Sequence, residues 1–109
     1  MSEELPNKCE PCSGEVPALS QILCEVHMEA LSGWQLDFPR IRKHYEMKDF
    51  RDALKWINRV GMLAEEEGHH PNLFIRNWNQ VEIELYTHKI DGLSINDFVL
   101  AKKIDGLAE

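Results

Sequence analysis

One long apolar stripe with a capping residue at each end constrains the fold of this 109-residue chain more than any other feature. Asp49 precedes the stripe, Asp52 stands where a capping box has its acid, and Gly68 follows. Asp is a preferred helix N-cap and Gly a preferred helix stop, so we predict a helix between them. Its apolar residues recur at three- and four-residue spacing, as on one helix face: Phe50, Ala53, Leu54, Ile57, Val60, Gly61 and Ala64. Such a stripe requires a second layer to bury it.

Shorter elements are predicted on both sides of this helix. A first helix follows Ser20, its N-cap, and stops at Ser32-Gly33, and a last helix runs from Ser94 to about Leu107. Four short strands are predicted at residues 34–36, 41–45, 73–76 and 81–88, the last with clear alternation of apolar and polar side chains. The order α-β-β-α-β-β-α indicates an α+β fold, a four-stranded antiparallel sheet with three helices on one face. The other face must be solvated or covered by another subunit.

Composition narrows the class of protein. Residues 1–17 are rich in Pro and lack periodicity, so we expect a flexible N-terminal arm followed by a single domain over residues 18–109. A domain this small leaves much of its surface exposed, which favours oligomerisation. The net charge of −7 argues against nucleic acid as the main partner. No apolar run approaches the roughly 20 residues that span a bilayer, and three cysteines make no disulfide framework, so a cytoplasmic protein is expected.

Three of the five histidines, His69, His70 and His88, lie within twenty residues of one another. An imidazole has an unperturbed pKa of about 6.5, so a pair can offer one acid and one base at neutral pH. Glu65 lies four residues before His69 and continues the apolar stripe of the long helix. We therefore expect its carboxylate to point inward, where it would orient an imidazole or hold a polar substrate.

The predicted hairpin gives two of these histidines a reason to meet. A turn centred between residues 78 and 79 sets His69 opposite His88 and His70 opposite Thr87. Directly opposed residues have Cβ atoms about 4.5–5.5 Å apart. A turn centred one residue earlier shifts the pairing by two, so the register stays open at this point.

Simpler explanations exist for several of these residues. A capping box on Ser94 would by itself account for Asp97. Trp78 is explained as a turn aromatic that packs on the sheet, Glu67 as part of a solvated helix end, and the two remaining histidines as structural. The three clustered histidines beside an inward carboxylate are harder to explain in this way.

The stretch of residues 65–97 closely resembles the signature of the pterin-4a-carbinolamine dehydratases. That signature has an acidic residue, three spacers, His-His-Pro, five or six spacers, an aromatic residue, nine spacers, His and, after a further gap, Asp. This chain supplies Glu65, His69, His70, Pro71, Trp78, His88 and Asp97 at fitting spacings. The similarity covers roughly residues 19–107. It departs at Leu73, where some family members have an aromatic residue.

The resemblance implies dehydration of a 4a-hydroxytetrahydropterin, such as 4a-hydroxytetrahydrobiopterin, to the quinonoid dihydropterin in tetrahydrobiopterin recycling. It implies that the enzyme uses neither a metal nor an organic cofactor. It also implies assembly as a homodimer or homotetramer. The catalytic residues would be His69, His70 and His88, with His69 and His88 as the acid–base pair. The substrate-binding and supporting residues would be Glu65, Pro71, Trp78 and Asp97.

Two other functions compete with this one. Cys9 and Cys12 could join histidines in a zinc site of Cys2His2 type, although the chain has a single CxxC and His-His-Pro is poor ligand spacing. Alternatively, the chain is a non-enzymatic interaction protein, because family members in animals also bind a homeodomain transcription factor and stabilise its dimer. A transcription-factor partner of this chain cannot be tested from its residues.

Overall fold

The computed structural model describes residues 17–107, which form a four-stranded antiparallel sheet with three helices on one face. The elements are α1 (Gln21–Met28), β1 (Gln35–Asp37), β2 (Arg40–Glu46), α2 (Phe50–Glu67), β3 (Asn72–Arg76), β4 (Gln80–Leu85) and α3 (Ile95–Leu107), with a short 3-10 turn at His88–Ile90. The predicted fold class and order of elements are therefore confirmed. Nearly all of the predicted N-terminal arm, including Cys9 and Cys12, lies outside the described residues.

The predicted helix caps are confirmed where local side chains decide them. The Ser20 hydroxyl accepts from the Leu23 amide at 3.2 Å, and the Asp49 carboxylate accepts from the Asp52 amide at 2.8 Å. Gly68 ends α2 in the left-handed region, with φ 68°. The first helix, however, ends at Met28, before the predicted stop. From there the amides of residues 29–31 bond to carbonyls three residues back, so the chain leaves the helix through tighter turns.

The core lies between the helices and one face of the sheet, whose strands are ordered β1-β2-β4-β3. Ile41, Val81, Ile83 and Leu85 point into this core and are fully buried, as the alternation in the last strand predicts. The helices cover them with apolar side chains that include Trp56, Val60, Phe98, Leu100 and Ile104. No helix in residues 17–107 is long and apolar enough to cross a membrane.

The other sheet face carries ion pairs between neighbouring strands. Arg42 Nη2 lies 2.9 Å from the Asp37 carboxylate and 3.4 Å from that of Glu84. Arg76 Nη1 lies 3.5 Å from Glu82. Polar, charged side chains thus replace a second apolar layer on this side.

The β3–β4 hairpin has a different register from the predicted one. Arg76 pairs with Gln80, so the strands are joined by a three-residue loop at 77–79, and Asn77 and Trp78 both have positive φ, 48° and 59°. This loop shifts the pairing by one residue from the prediction. In addition, β4 ends at Leu85. The predicted pairing of His69 with His88 across the hairpin is therefore wrong, because the chain turns away before it reaches position 88.

The far end of α3 is fixed to the start of the sheet through Asp105. Its carboxylate accepts from the Ser32 amide at 3.0 Å, the Trp34 indole N–H at 2.9 Å and the Lys43 ammonium at 2.9 Å. The Lys43 ammonium also donates to the Ser32 carbonyl at 2.7 Å. These contacts join the last helix, the α1–β1 connection and β2 at one point.

Candidate functional site

A cleft of about 190 Å³ opens where α2 and β4 both end. It is lined by Gly68, His69, His70, Tyr86, Thr87, His88 and Lys89. The three clustered histidines thus line one cleft, although they do so through the loops that follow α2 and β4 rather than through strand pairing. The left-handed Gly68 makes the turn that carries the first two histidines out of α2.

His69 is held by a buried carboxylate. Its side chain is buried, and Nε2 lies 2.6 Å from Oδ1 of Asp97, which is 0% exposed. The other carboxylate oxygen, Oδ2, accepts from the Thr87 hydroxyl at 2.7 Å and the Ser94 amide at 2.9 Å. A carboxylate oxygen accepts hydrogen bonds, whereas an imidazole N–H donates one. Asp97 is therefore the acceptor and the His69 Nε2–H the donor.

Asp97 combines two roles that the sequence presented as alternatives. It caps α3, since its side chain accepts from the Ser94 amide and its own amide donates to the Ser94 carbonyl at 3.1 Å. It also orients His69. Helix capping and the histidine contact use different oxygens of the same carboxylate, so neither role excludes the other.

Glu65 does not point inward, and that prediction is wrong. Its side chain is 77% exposed and meets His70 at the surface, with Oε1 2.8 Å from Nε2. Ala64 occupies the core-facing position, and the next residue of a helix is turned about 100° away from it. The carboxylate that does turn inward is Glu67, predicted as solvated: it is 10% exposed and pairs with Lys103 at 3.2 Å.

His88 is presented by a short closed loop. The Thr87 amide donates to the Gly92 carbonyl at 2.8 Å, and the Gly92 amide donates back to Thr87 at 3.3 Å. The His88 ring meets the Tyr86 ring edge-on at a centroid distance of 4.9 Å. The Tyr86 hydroxyl donates to the Asp91 carboxylate, which raises the pKa of Tyr86. A neutral tyrosine thus stands beside the exposed histidine.

Two residues of the family signature, Trp78 and Pro71, lie apart from the histidine cleft. Trp78 is exposed at the tip of the β3–β4 hairpin. It is separated from His69 by the length of β3, about 17 Å at ~3.3 Å per residue. Pro71 directly precedes β3 and leads the chain from His70 into the sheet. The structure thus brings the three histidines and Asp97 together, and places Glu65 at the rim.

Sequence reasoning did not single out the remaining cleft residues. Thr87 is predicted only as a strand residue opposite His70, and Tyr86 only as a residue of the same strand. Lys89 lies outside every predicted element. The usable signal for Thr87 is its position immediately before a clustered histidine, at the end of an alternating strand. Its contact with Asp97 spans ten residues and has no local signature.

Neither a metal ligand set nor a reactive thiol is found in the described part of the chain. Within residues 17–107, no three His, Cys, Asp or Glu side chains are placed to hold a metal ion. Burial raises the pKa of the Cys24 thiol to about 11, which keeps it protonated and unreactive at neutral pH. The cleft offers three imidazoles: His69 is buried and oriented by a carboxylate, whereas His70 and His88 are exposed. Such an arrangement is suited to proton transfer.

Comparison with known proteins assigns this chain to a family. The family described as pterin 4 alpha carbinolamine dehydratase matches residues 17–107. A protein of Rubrobacter xylanophilus, provisionally named pterin-4-alpha-carbinolamine dehydratase, is 44% identical over 108 residues, which is 98% of this chain and 100% of that protein. The Arabidopsis thaliana protein named pterin-4-alpha-carbinolamine dehydratase 2, mitochondrial, is 38% identical over 92% of this chain and 56% of its own length.

Two solved structures share the fold of this chain. A transcriptional coactivator/pterin dehydratase from Brucella melitensis superposes with a TM-score of 0.76 at 30% identity, over 84% of this chain and 99% of that one. A pterin dehydratase-like protein identified as a RuBisCO assembly factor in the alpha-carboxysome shares the fold, with a TM-score of 0.57 at 21% identity over 72% of this chain and 93% of that one. From the family match and the identity along nearly the whole chain, this protein belongs to the pterin-4a-carbinolamine dehydratase family of enzymes.

Proposed function

We propose that this protein dehydrates 4a-hydroxytetrahydrobiopterin to the quinonoid dihydropterin in the cytoplasm, as a step of tetrahydrobiopterin recycling. The observation that carries this proposal is the meeting of His69, His70 and His88 in one cleft, with His69 fixed by the buried Asp97. Family membership and the name of the Brucella relative support the substrate class.

The reaction requires one proton to be supplied and one removed. The C4a–O bond breaks as the hydroxyl takes up a proton and leaves as water, while N5 loses its proton and the C4a–N5 double bond forms. His69 and His88 are the proposed acid–base pair, because both rings border the cleft and an imidazole exchanges protons readily near neutral pH. Asp97 binds the Nε2–H of His69 and thereby sets the orientation of that ring at the cleft.

His70 is proposed to bind the substrate rather than to carry a proton. Its ring is at the surface and engages Glu65, so it forms the rim of the cleft. Pro71 is proposed as a supporting residue, because it leads the chain from His70 into β3, whereas Trp78 is given no substrate contact within one chain. Trp78 lies too far along β3 to contact a ligand in the cleft of the same chain.

The test is a stopped-flow measurement of carbinolamine dehydration with synthetic substrate. The parent protein should accelerate the reaction, and a His69→Ala, His88→Ala double variant should lose about 10²- to 10⁴-fold in kcat. The matched control is His44→Ala, because His44 is exposed on the ion-paired sheet face, away from the cleft. A double variant as fast as the parent would show that the histidines do not carry the reaction.

We further propose that the chain assembles as a homodimer or homotetramer. Phe50, Leu54 and Met62 are exposed apolar side chains on α2, and burying them between copies would be favourable. Sedimentation equilibrium should show association of the parent and weaker association of a Leu54→Gln, Met62→Gln variant. Arg59→Gln, on the same helix, serves as the control. A monomeric parent would refute this assembly.

A second candidate function is that of an interaction protein without catalysis. The descriptions of the two solved neighbours favour it, since one is called a transcriptional coactivator and the other a RuBisCO assembly factor. The dehydration assay discriminates between the candidates. Turnover that depends on His69 and His88 supports the enzyme, and a folded parent without turnover supports the interaction protein.

A further inference from the structure

We propose that Thr87 is a positioning residue that fixes both His69 and His88, through its side chain and its backbone respectively. This inference rests on the proposed acid–base function of the cleft. Thr87 is itself buried, at the junction of β4 with the closed loop that carries His88. It is the point at which the two halves of the site are connected.

The direction of the hydrogen bonds at its side chain follows from counting protons. The Thr87 hydroxyl has one proton, and Oδ2 of the Asp97 carboxylate, at 2.7 Å, is its acceptor. That proton is therefore donated to Asp97. The Ser94 hydroxyl, 3.0 Å from the Thr87 oxygen, must then be the donor in their contact. The chain of donors runs from Ser94 through Thr87 to Asp97.

This chain determines where the Asp97 carboxylate can aim its other oxygen. Oδ2 is held by the Thr87 hydroxyl and the Ser94 amide, which fixes the rotation of the carboxylate group. Oδ1 is thereby directed at Nε2 of His69, 2.6 Å away. All of these groups are buried, so water cannot readily replace the threonine hydroxyl.

The backbone of Thr87 acts on the second histidine. Its amide and carbonyl both pair with Gly92, which closes the loop that presents His88. A substitution of the side chain leaves these two backbone bonds in place. The hydroxyl can thus be tested separately from the closure of the loop.

The test compares Thr87→Val, which removes the hydroxyl and keeps the branched shape, with Thr87→Ser, which keeps the hydroxyl. We expect kcat to fall about 10- to 100-fold in Thr87→Val, by analogy with the loss found when a group that orients a metal-ligating histidine is removed. KM should change by less than about threefold, because the lost interaction is not with substrate. Thr87→Ser should keep kcat within about threefold of the parent. Thr87→Ala is measured beside them, so that a folding failure of one variant leaves the comparison intact.

A second readout needs no substrate. In side-chain ¹⁵N NMR of the parent and of Thr87→Ser, His69 should show a slowly exchanging proton on Nε2. In Thr87→Val that proton should exchange faster.

The outcomes separate this inference from the proposed function. Parental kcat and unchanged Nε2–H exchange in Thr87→Val would overturn the inference alone, as would a Thr87→Ser variant as slow as Thr87→Val. A parent without turnover would overturn the proposed function. In that case the NMR comparison still decides whether Thr87 holds His69.

Discussion

Asp105→Ala tests how the last helix of this small domain is held to the sheet. The substitution removes the acceptor for three donors at once: the Ser32 amide, the Trp34 indole and the Lys43 ammonium. We expect a folded protein with a clearly lower free energy of unfolding, because the Lys43 ammonium loses its counter-ion in a largely buried place.

The size of the effect follows from the exposure of the pair. Removing one partner of a buried ion pair costs about 3–5 kcal/mol, whereas fully exposed pairs contribute at most about 1 kcal/mol. The Lys43 and Asp105 side chains are 16% and 17% exposed, close to the buried limit, and some hydration remains possible. We therefore expect a loss of about 2–4 kcal/mol, a large part of the ~5–15 kcal/mol of a typical domain. At a urea dependence of ~1.5 kcal/mol per M, the midpoint would fall by about 1–3 M.

The assay is urea unfolding followed by far-ultraviolet circular dichroism, which reports the whole fold rather than the environment of Trp34. The matched control is Asp37→Ala, whose carboxylate pairs with Arg42 on the solvated sheet face and should cost less than about 1 kcal/mol. A midpoint shift in Asp105→Ala no larger than in Asp37→Ala would refute the reasoning.

Three further predictions test other parts of the structure. In Asp97→Asn, an NH₂ donor replaces one of the two oxygens that accept from His69 Nε2 and from the Thr87 hydroxyl, so kcat should fall about 10²- to 10⁴-fold with the fold retained. Parental kcat in the stopped-flow assay would contradict the orienting role of Asp97. In Gly68→Ala the added Cβ meets no atom within 4 Å, but alanine must adopt φ 68°. The free energy of unfolding should therefore fall by about 1 kcal/mol, or roughly 4–8 °C in Tm by calorimetry, and an unchanged Tm would rule out strain at this cap. Cys24, with its pKa raised from 9.0 to about 11 by burial, should resist alkylation at pH 8 when the other two cysteines are changed to serine. Because the thiol ionises at a lower pH in the unfolded chain than in the folded one, the free energy of unfolding of that variant should decrease as pH rises from about 9 to 11. Rapid alkylation of the folded form at pH 8 would contradict the raised pKa.

The helix boundaries with side-chain caps were predictable because they depend on neighbours in sequence. Ser20, Asp49 and Gly68 each act within four residues of themselves, and all three were predicted from residue type alone. The alternation that buries Val81, Ile83 and Leu85 is equally local. These signals were enough to give the order of elements and hence the fold class.

The hairpin register depended on a backbone conformation that residue type does not determine. Asn commonly adopts the left-handed region, but Trp does so rarely, and here Asn77 and Trp78 adopt it in succession. The resulting three-residue loop shifts every pair by one. The register fails for this reason, whereas the side-chain alternation within β4 stays correct.

The site contacts that sequence could not give are those between elements far apart in the chain. His69 and Asp97 are 28 residues apart and meet because α3 returns beneath the end of α2. Glu65 and Glu67 differ by a rotation about the α2 axis, and only the position of α3, with Lys103, decides which one is covered. The signature gives the candidate residues, but the contacts between them depend on how the helices pack.

The attachment of α3 at both ends has a consequence for the cleft. A helix held by one side chain can still rotate about its axis or slide along it, whereas anchors at Asp97 and Asp105, about 12 Å apart at 1.5 Å per residue, oppose both movements. A rotation of even a few degrees would move the Asp97 oxygens relative to the His69 ring. The geometry of the proposed proton transfer is therefore coupled to Lys43 and Trp34, which bind the other end of α3. Under the proposed function, substitutions at Lys43 or Trp34, or a fusion that disturbs the last turn of α3, should change kcat before they unfold the domain.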